Sequence, residues 1–488
     1  MKKSINILAK SGAILLSLMV FSCQNLKENP ISSLAPSNYF TNPSQCESAY
    51  AQAMSQIYSQ WSNYAGGLYN GQQTDQTNGG NYNYSVDIGL GYWTCHFQSI
   101  NTINTTLASI KSGSVSTFPI AVVNDLIAQG RFLRAFNYFY LVRLFGKVPY
   151  ITEDTPNVVD HPLTPSSREE IPAVYDKIQA DLVYAGQYMN DYNASIPGHI
   201  NKWTARALLS KVYLTRATAP ISDVTYYPKA RDLADTVITQ SPYGLQPTFD
   251  AVFSRSNRGN LEIIFAFNSA PGALATSVKG ACPVEIGGFS GGSISNVWSN
   301  TFPEQPRKHS YIMLQWPEGT GDIGSATDST VLIPYTASVQ QVPNIGKQTW
   351  PYFSISEIMN EQGFDYDLAI IRFADVLLMY AEAANMANGS PTQVAVDRVN
   401  MIINRANAGT GTEPIATLGM SSTAFDALVI NERNFELCFE GDRYYDLVRK
   451  RMIPQVCTAD QLSGFTADKY LYPIPSLDAP LVGQNPGY

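Results

Sequence analysis

Apolar residues recur at intervals of three and four over both ends of this 488-residue chain, and this helical periodicity limits the possible fold more than any other sequence feature. The clearest stretch is 118–145, whose apolar face is formed by Leu133, Phe136, Tyr140 and Leu144. The pattern ends at Gly146, as expected for the C-terminus of a helix. By the same criterion, helices are predicted over 43–61, 93–110, 118–145, 168–189, 202–216, 227–240, 367–386, 393–406 and 421–450.

The middle of the chain differs because Gly, Pro, Ser and Asn are frequent there, and the apolar runs are short. Short strands are predicted at 262–267 and 330–335. The sequence therefore predicts a mainly α fold with three parts: a helical scaffold over 43–240, an irregular, loop-rich insert over 241–365, and C-terminal helices with an extended tail over 366–488. Paired helices at both ends favour units of the tetratricopeptide kind, although the 34-residue consensus of that repeat is not visible.

The first 22 residues have the pattern of a secretion signal rather than of a folded segment. Three lysines flank and precede a short apolar run over 14–21, and Ser22 then precedes Cys23. A cysteine after a small residue is typical of a bacterial lipoprotein, so residues 1–22 are predicted to be removed and Cys23 to be acylated. An ordinary signal with an incidental cysteine is the alternative. Residues 23–42 would form a tether, and two or more acyl chains would anchor it stably.

Charge and motif content disfavour several classes of function. The net charge is −8 and Lys and Arg form no basic stripe, so nucleic-acid binding is not expected. No C-x-x-C, H-E-x-x-H or P-loop pattern is present, so neither a metal site nor a cofactor is predicted, while calcium stays undecided. The sequence GFSGG matches the hydrolase pattern G-x-S-x-G at Ser290, but only Glu304 and His309 follow as partners, in a Gly/Ser-rich setting. Catalysis is therefore not expected.

Five cysteines follow Cys23, an odd number without the pattern of a disulfide framework. One disulfide is possible, and the sequence does not show which cysteines would form it. Cys438 lies among apolar residues at helical spacing and is predicted to be buried.

Five segments, taken in order, resemble one protein family. They are RFLRAFNYFYLVRLFGKVPYIT at 131–152, KWTARALLSKVYL at 202–214, IIRFADVLLMYAEAAN at 370–385, NERNFELCFEGDRYYDLVRK at 431–450 and YPIPSLDAPLVGQNPGY at 472–488. Each alone is an ordinary amphipathic or extended segment. The ordered set, together with Cys23, resembles the SusD/RagB family of nutrient-binding lipoproteins of Bacteroidetes-type bacteria. Asp442 departs from the His often found in the fourth segment.

This resemblance implies both a fold and a role. The fold would be four tetratricopeptide-like units with a less regular region packed upon them. The protein would face the cell exterior at the outer membrane, capture oligosaccharides or polysaccharide, and deliver them to a SusC-like TonB-dependent transporter. Some relatives bind peptides instead, so an oligopeptide receptor of the RagB type is the alternative, and an extracellular hydrolase is a weaker one.

Acidic and basic residues at helical spacing in 431–450 indicate a structural ion-pair network. Glu432 falls on the same stripe as Phe425, Leu428, Phe435 and Phe439. A buried carboxylate is costly without a partner, so Glu432 is predicted to pair with an arginine of a neighbouring helix, with Arg372 as the candidate.

Ligand contacts are sought where aromatic and polar side chains alternate outside helices. Flat aromatic rings cover the apolar faces of pyranose rings, and amides, carboxylates or guanidinium groups replace water at the hydroxyls. The candidates in 69–84 are Tyr69, Asp75, Asn78, Tyr82, Asn83 and Tyr84; those in 298–316 are Trp298, Arg307, Tyr311 and Trp316; and Trp350 stands apart. For each of them the alternative is a packing role beneath a loop.

Overall fold

Six long helices follow one another in the first half of the chain, as the periodicity predicts. They are α1 (Pro43–Trp61), α2 (Leu90–Lys111), α3 (Ile120–Phe145), α4 (Ile171–Tyr188), α5 (Lys202–Arg216) and α6 (Tyr226–Gln240). The predicted bounds of α1 and α5 are confirmed to the residue, and the other four agree within three residues. The residues described in this computed structural model are 39–61, 73–78, 80–155, 162–196, 198–268, 282–288, 293–318, 331–338, 340–347, 355–356 and 367–488.

The ends of these helices follow from local chemistry. The side chain of Asn201 caps α5, because its Oδ1 accepts hydrogen bonds from the backbone N–H groups of Trp203 at 3.0 Å and Thr204 at 3.4 Å. Helix α3 ends at Gly146, which adopts a φ of 70°. That left-handed backbone favours glycine, and it turns the chain out of the helix.

Helices that are adjacent in the chain are also neighbours in space. α1 packs on α2, α3 on α4 and α5 on α6, and each pair packs on the next. In the C-terminal part, α10 (Phe373–Asn388) packs on α6 and on α11 (Gln393–Asn407), so a fourth pair continues the stack. This succession of helix pairs is a tetratricopeptide-like scaffold and confirms the predicted fold class.

The insert consists of short elements. Its helices are α7 (Phe249–Phe253), α8 (Asn296–Thr301) and α9 (Pro306–Tyr311). The described strands pair in twos, all antiparallel: β1 (Val148–Pro149) with β2 (Arg168–Glu169), β3 (Ile263–Asn268) with β8 (Asp367–Arg372), β4 (Ile312–Met313) with β7 (Asn344–Ile345), and β5 (Gln315–Pro317) with β6 (Leu332–Pro334). The strands predicted at 262–267 and 330–335 correspond to β3 and β6.

Two predicted helices are wrong in part. The stretch predicted as one helix over 367–386 begins as strand β8, which is buried on both faces and pairs with β3, before α10 starts. The stretch over 421–450 is two helices, α12 (Ser422–Glu436) and α13 (Asp442–Lys450). Phe439 and Gly441 separate them with positive φ angles of 58° and 87°, which no helix accommodates. Two short helices, α14 (Ile453–Val456) and α15 (Ala479–Val482), follow.

None of the described helices is both long and apolar enough to cross a membrane. The cysteines of the described residues are free thiols, and Cys438 is completely buried, as predicted.

A second, smaller apolar core fastens the insert to the C-terminal helices. It contains Phe249, Phe253, Trp298, Tyr311, Phe435 and Cys438. Beside it lies a buried network of ion pairs. Arg307 contacts Glu413, Glu432 and Glu436, and Arg372 contacts Glu262, Glu436 and Glu440. The predicted structural network is therefore present.

The predicted partner of Glu432 is wrong. The carboxyl group of Glu432 accepts two hydrogen bonds from Arg307, at 2.5 and 3.2 Å, and none from Arg372. The guanidinium of Arg372 is occupied by Glu440, at 2.7 Å from Nε, and by Glu262, at 2.7 Å from Nη1. Arg307 comes from α9, an element that the periodicity does not reveal.

Candidate functional site

The two chain segments with candidate ligand contacts meet in the structure. Thr77 and Ile294 form an isolated antiparallel bridge. The backbone N–H of Ser295 donates to the carbonyl of Gln76 over 2.9 Å, and Asn78 Nδ2 donates to the carbonyl of Ile294 over 3.1 Å. The segment 73–78 therefore lies directly beside the start of α8.

The C-terminal part of the chain holds the segment 73–78 from the other side. Gln76 Nε2 donates to Asn434 Oδ1 on α12 over 2.9 Å. Gln461 Nε2 donates to the carbonyls of Thr74 and Thr77, at 3.0 and 2.7 Å. These buried amide contacts fix the backbone of a segment that has no regular secondary structure of its own.

A pocket of about 670 Å³ opens where these elements meet. Its exposed rim is formed by Val297, Thr301, Thr423, Ala427 and Asn431. Its inner wall is formed by Asp75, Ser295, Trp298, Asn434, Arg443 and Gln461. The volume lies within the range of small-molecule sites, and the lining is richer in polar groups than most such sites.

The amides on α12 are the groups best suited to bind a ligand. Asn434 Oδ1 accepts from Gln76 and from Trp298 Nε1, at 2.9 and 3.1 Å, while its Nδ2 has no acceptor among the described residues. Asn431, one turn earlier on the same face, is exposed and makes no side-chain hydrogen bond within the described part of the chain. Together the two side chains present free donors and an acceptor that match sugar hydroxyls.

Two ion pairs complete the lining. Arg443 donates from Nε to Asp75 Oδ1 over 2.8 Å and from Nη2 to Oδ2 over 2.6 Å. Lys450 Nζ lies 2.8 and 3.0 Å from the two oxygens of Asp426 and 2.9 Å from Glu382. Burial and the nearby Glu382 raise the pKa of Asp426, although Lys450 opposes this. Burial alone would lower the pKa of Lys450, but Glu382 and Asp426 together outweigh it and the pKa is raised.

Most of the predicted aromatic contacts lie in the interior. Five side chains are almost or wholly buried: Tyr82, Trp298, Arg307, Tyr311 and Trp316. Tyr82 donates from its hydroxyl to the carbonyl of Gln73 over 2.7 Å. Trp298 packs edge-on against Phe302 and Phe439, so only a small part of its ring borders the pocket. In this conformation these side chains have the packing role that was the alternative.

The remaining candidates are distributed differently. Asp75 lines the pocket, whereas Asn78 and Asn83 are exposed, and Tyr84 is half-buried with its ring 5.0 Å from that of Tyr472. Outside the described residues lie Cys23, Tyr69, Ser290 and Trp350. Their predicted roles stay predictions.

The sequence contained a signal for Asn431 and Asn434 that the prediction missed. The two asparagines are three residues apart in the sequence NERN at 431–434 and so lie on one side of α12. Their charged neighbours led to a prediction of ion pairs only. A second groove, of about 830 Å³, lies between α1 and β3 and is lined by Tyr50, Met54, Tyr58, His199 and Asn268 among others. None of the predicted contacts that the structure describes lines this groove.

Comparisons with known proteins indicate the family of this chain. A sequence profile described as the SusD family matches residues 306–460, and one described as starch-binding associating with outer membrane matches 20–214. A SusD-like protein of Formosa agariphila is 27% identical, with 97% of this chain and 98% of that protein covered. A SusD-like protein of Bacteroides ovatus is 26% identical over 73% of this chain and 65% of its own length.

Solved structures share the fold. A SusD homologue from Bacteroides thetaiotaomicron has a TM-score of 0.76 and 21% identity, with 93% of this chain and 98% of that chain covered. A laminarin-binding SusD-like protein has a TM-score of 0.63 and 21% identity, over 92% of this chain and all of the other. A structure with a bound xylogluco-oligosaccharide has a TM-score of 0.69 and 18% identity, over 90% and 97%. The two profiles, which match residues 20–214 and 306–460, and the SusD-like relatives support the assignment of this chain to the SusD/RagB family.

Proposed function

We propose that this protein binds oligosaccharides or polysaccharide at the cell exterior and delivers them to a SusC-like TonB-dependent transporter. The observation that carries the proposal is the pocket between segment 73–78, α8 and α12. Free amide groups at its rim and wall offer hydrogen bonds to hydroxyls. Its inner wall is held rigid by buried contacts, so binding orders few additional groups.

Relatives support a glycan as the ligand. One structural neighbour is described as laminarin-binding and another contains a xylogluco-oligosaccharide. The profile that matches residues 20–214 is described as starch-binding and associated with the outer membrane. These descriptions concern different glucans, so they support the class of ligand rather than one polysaccharide. A binding role without catalysis fits the same descriptions.

The binding test is calorimetry of the purified protein with a panel of oligosaccharides. Asn431→Ala should weaken binding about tenfold or less, because it removes one hydrogen-bonding side chain. Asn431→Trp should abolish binding by filling the pocket. The matched controls are Asn404→Ala and Asn404→Trp, since Asn404 is also an exposed helical asparagine and lies outside the pocket. Equal loss in the Asn404 pair, or no loss at Asn431, would place the site elsewhere.

The same panel separates the alternatives. If no glycan binds and mass spectrometry detects peptides in the purified protein, the protein is an oligopeptide receptor and the proposal is wrong. Turnover of any panel member would replace it by a hydrolase.

The proposed anchor and partner need a cellular test. We propose that Cys23 carries the lipid, so Cys23→Ala should release the protein from intact cells. An epitope on the released protein would then appear in the medium. A TonB-dependent transporter should co-purify with the anchored wild type from detergent-solubilised membranes. Firm surface display of the variant would contradict the anchor, and repeated absence of a transporter would contradict the partner.

A further inference from the structure

The positive charges that line the pocket are already neutralised. Among its described lining residues, the cationic side chains are Arg443 and Lys450. Arg443 is held by both oxygens of Asp75, and Lys450 by both oxygens of Asp426 and by Glu382. The lining therefore offers an anionic ligand two carboxylates and no unpaired cation.

The insert contains few basic residues, and most of those that the structure describes pair with carboxylates. Residues 241–365 contain six basic and ten acidic residues. Arg307 and Lys347 are buried against glutamates, Arg258 pairs with Asp367, and Lys308 pairs with Glu304. The described lining of the second groove likewise contains neither Lys nor Arg.

The stretches outside the described residues add one basic residue to the insert, Lys279 in 269–281. No lysine or arginine occurs in 62–72, 289–292, 319–330, 348–354 or 357–366. Four of these adjoin the insert or belong to it, and the last of them contains Glu357, Glu361 and Asp365.

We infer that the ligand is an uncharged glycan, and that glycans bearing uronic acids or sulfate are rejected. The inference rests on the proposed function and narrows it. A carboxylate or sulfate needs an arginine or lysine to replace its hydration. In this pocket, an anionic group on the ligand would have to displace Asp75 from Arg443 or Asp426 from Lys450. Otherwise it would lie beside these carboxylates without a cationic partner. Hydroxyl groups need only the amides and hydroxyls that the pocket leaves free.

The test is calorimetry of the full-length mature protein with two sets of oligosaccharides of equal length. The uncharged set contains laminari-, cello-, malto- and xylogluco-oligosaccharides. The acidic set contains oligogalacturonate, oligoalginate and carrageenan oligosaccharides. We expect at least one uncharged glycan to bind about tenfold tighter than every acidic one. We also expect its affinity to change less than about twofold between about 0.05 M and about 0.5 M NaCl, because no charge pairing is involved.

Variants that release a cation provide the internal control. Asp426→Asn leaves the Lys450 pair with Glu382 but frees one side of the ammonium, and Asp75→Asn frees the Arg443 guanidinium. Either should raise affinity for oligogalacturonate by about threefold or more and make it salt-sensitive. Asp426 lies at the surface end of the network, so Asp426→Asn is the variant expected to fold if Asp75→Asn does not.

The outcomes separate the inference from the proposed function. Tight binding of an acidic glycan to the wild type would overturn the inference and leave glycan binding intact. Unchanged oligogalacturonate affinity in a correctly folded Asp426→Asn protein would show that paired cations are not the reason for rejection, and would also overturn it. If no oligosaccharide of either set binds, both the proposed function and the inference are wrong.

Discussion

Arg307 and Glu432 lie 125 residues apart in the chain and face each other in a fully buried pair joined by two hydrogen bonds. The same guanidinium also contacts Glu413 at 2.9 Å and Glu436 at 3.0 Å. One guanidinium thus contacts three glutamate side chains and joins the insert to α12.

Replacing Arg307 should therefore be severely destabilising. Arg307→Ala leaves buried carboxylates without their cation, and we expect the free energy of unfolding to fall by about 3–5 kcal/mol. Urea denaturation followed by circular dichroism measures this. The control is Lys308→Ala, whose partner Glu304 is exposed, and it should cost less than about 1 kcal/mol. Similar losses in both variants would contradict a special role for the buried pair.

The two glutamates beside Arg307 should respond to pH in opposite ways. Burial opposes ionisation of Glu436, but Arg405, Arg372 and Arg307 outweigh it and lower its pKa from 4.5 to about 2. Burial and Glu413 raise the pKa of Glu432 well above 4.5, although Arg307 opposes this. The folded state therefore favours the charged form of Glu436 and the protonated form of Glu432.

Glu436→Gln should destabilise the protein at pH 7, and its deficit should shrink as the pH falls from about 4.5 towards about 2, where the wild type loses the same contribution. Glu432→Gln imitates a protonated carboxyl, so its deficit should be smaller and should decrease further as the pH rises. Urea midpoints of both variants and the wild type, measured from about pH 2 to about pH 8, provide the measurement. Parallel pH profiles for the two variants would contradict the assignment.

His96 should make the fold sensitive to mild acid. It is completely buried, and its Nδ1–H donates to Asn137 Oδ1 over 2.8 Å. Burial lowers its pKa from 6.5 to about 4, so the unfolded chain takes up a proton that the folded protein refuses. Stability that is present above pH 6.5 is lost as the pH falls towards 4, by up to about 3 kcal/mol. His96→Gln keeps a donor for Asn137 and should flatten the pH profile of the unfolding midpoint in this range.

The exposed His199→Gln variant is the control for His96. A profile as steep in His96→Gln as in the wild type would assign the acid sensitivity to other groups.

The break between α12 and α13 should depend on Gly441. Its φ of 87° places a side chain in a strained backbone, so Gly441→Ala should lower the free energy of unfolding by about 1–2 kcal/mol. The comparison is Gly419→Ala, where an added Cβ meets no atom within 4 Å and the backbone lies outside the left-handed region. That variant should be neutral or more stable by up to about 1 kcal/mol. Thermal denaturation of both variants gives the answer, and an unaffected Gly441→Ala would contradict it.

The helices could be predicted because each one carries its own apolar face, but two boundaries could not. Strand β8 is buried on both faces, so it lacks the alternation that marks a half-exposed strand, and Ile370 fits the spacing of α10. The turn at Phe439 and Gly441 interrupts a stripe that continues on both sides. In the sequence only the glycine marks this turn, because a phenylalanine rarely adopts a positive φ, and the buried Phe439 has one of 58°.

The site could be predicted only in outline. The sequence named the segments 69–84 and 298–316 separately, and only the structure brings the described part of the first and the start of the second to one pocket. The individual aromatic residues could not be ranked, because the same rings that cover a sugar also fill a core. The position of Glu432 on an apolar stripe correctly predicts a buried basic partner. The sequence does not show that this partner is Arg307 rather than Arg372, because that depends on how distant elements pack.

The clamp on segment 73–78 has a consequence for biosynthesis. Gln76 and Asp75 depend on residues 358 and 368 positions later. Ribosomes deliver a chain from its N-terminus, so the early helix pairs can form while this segment still waits for its partners. A truncated product that ends before Arg443 would still contain the helices α1 to α6, but it could not form the ion pair that holds Asp75 at the pocket.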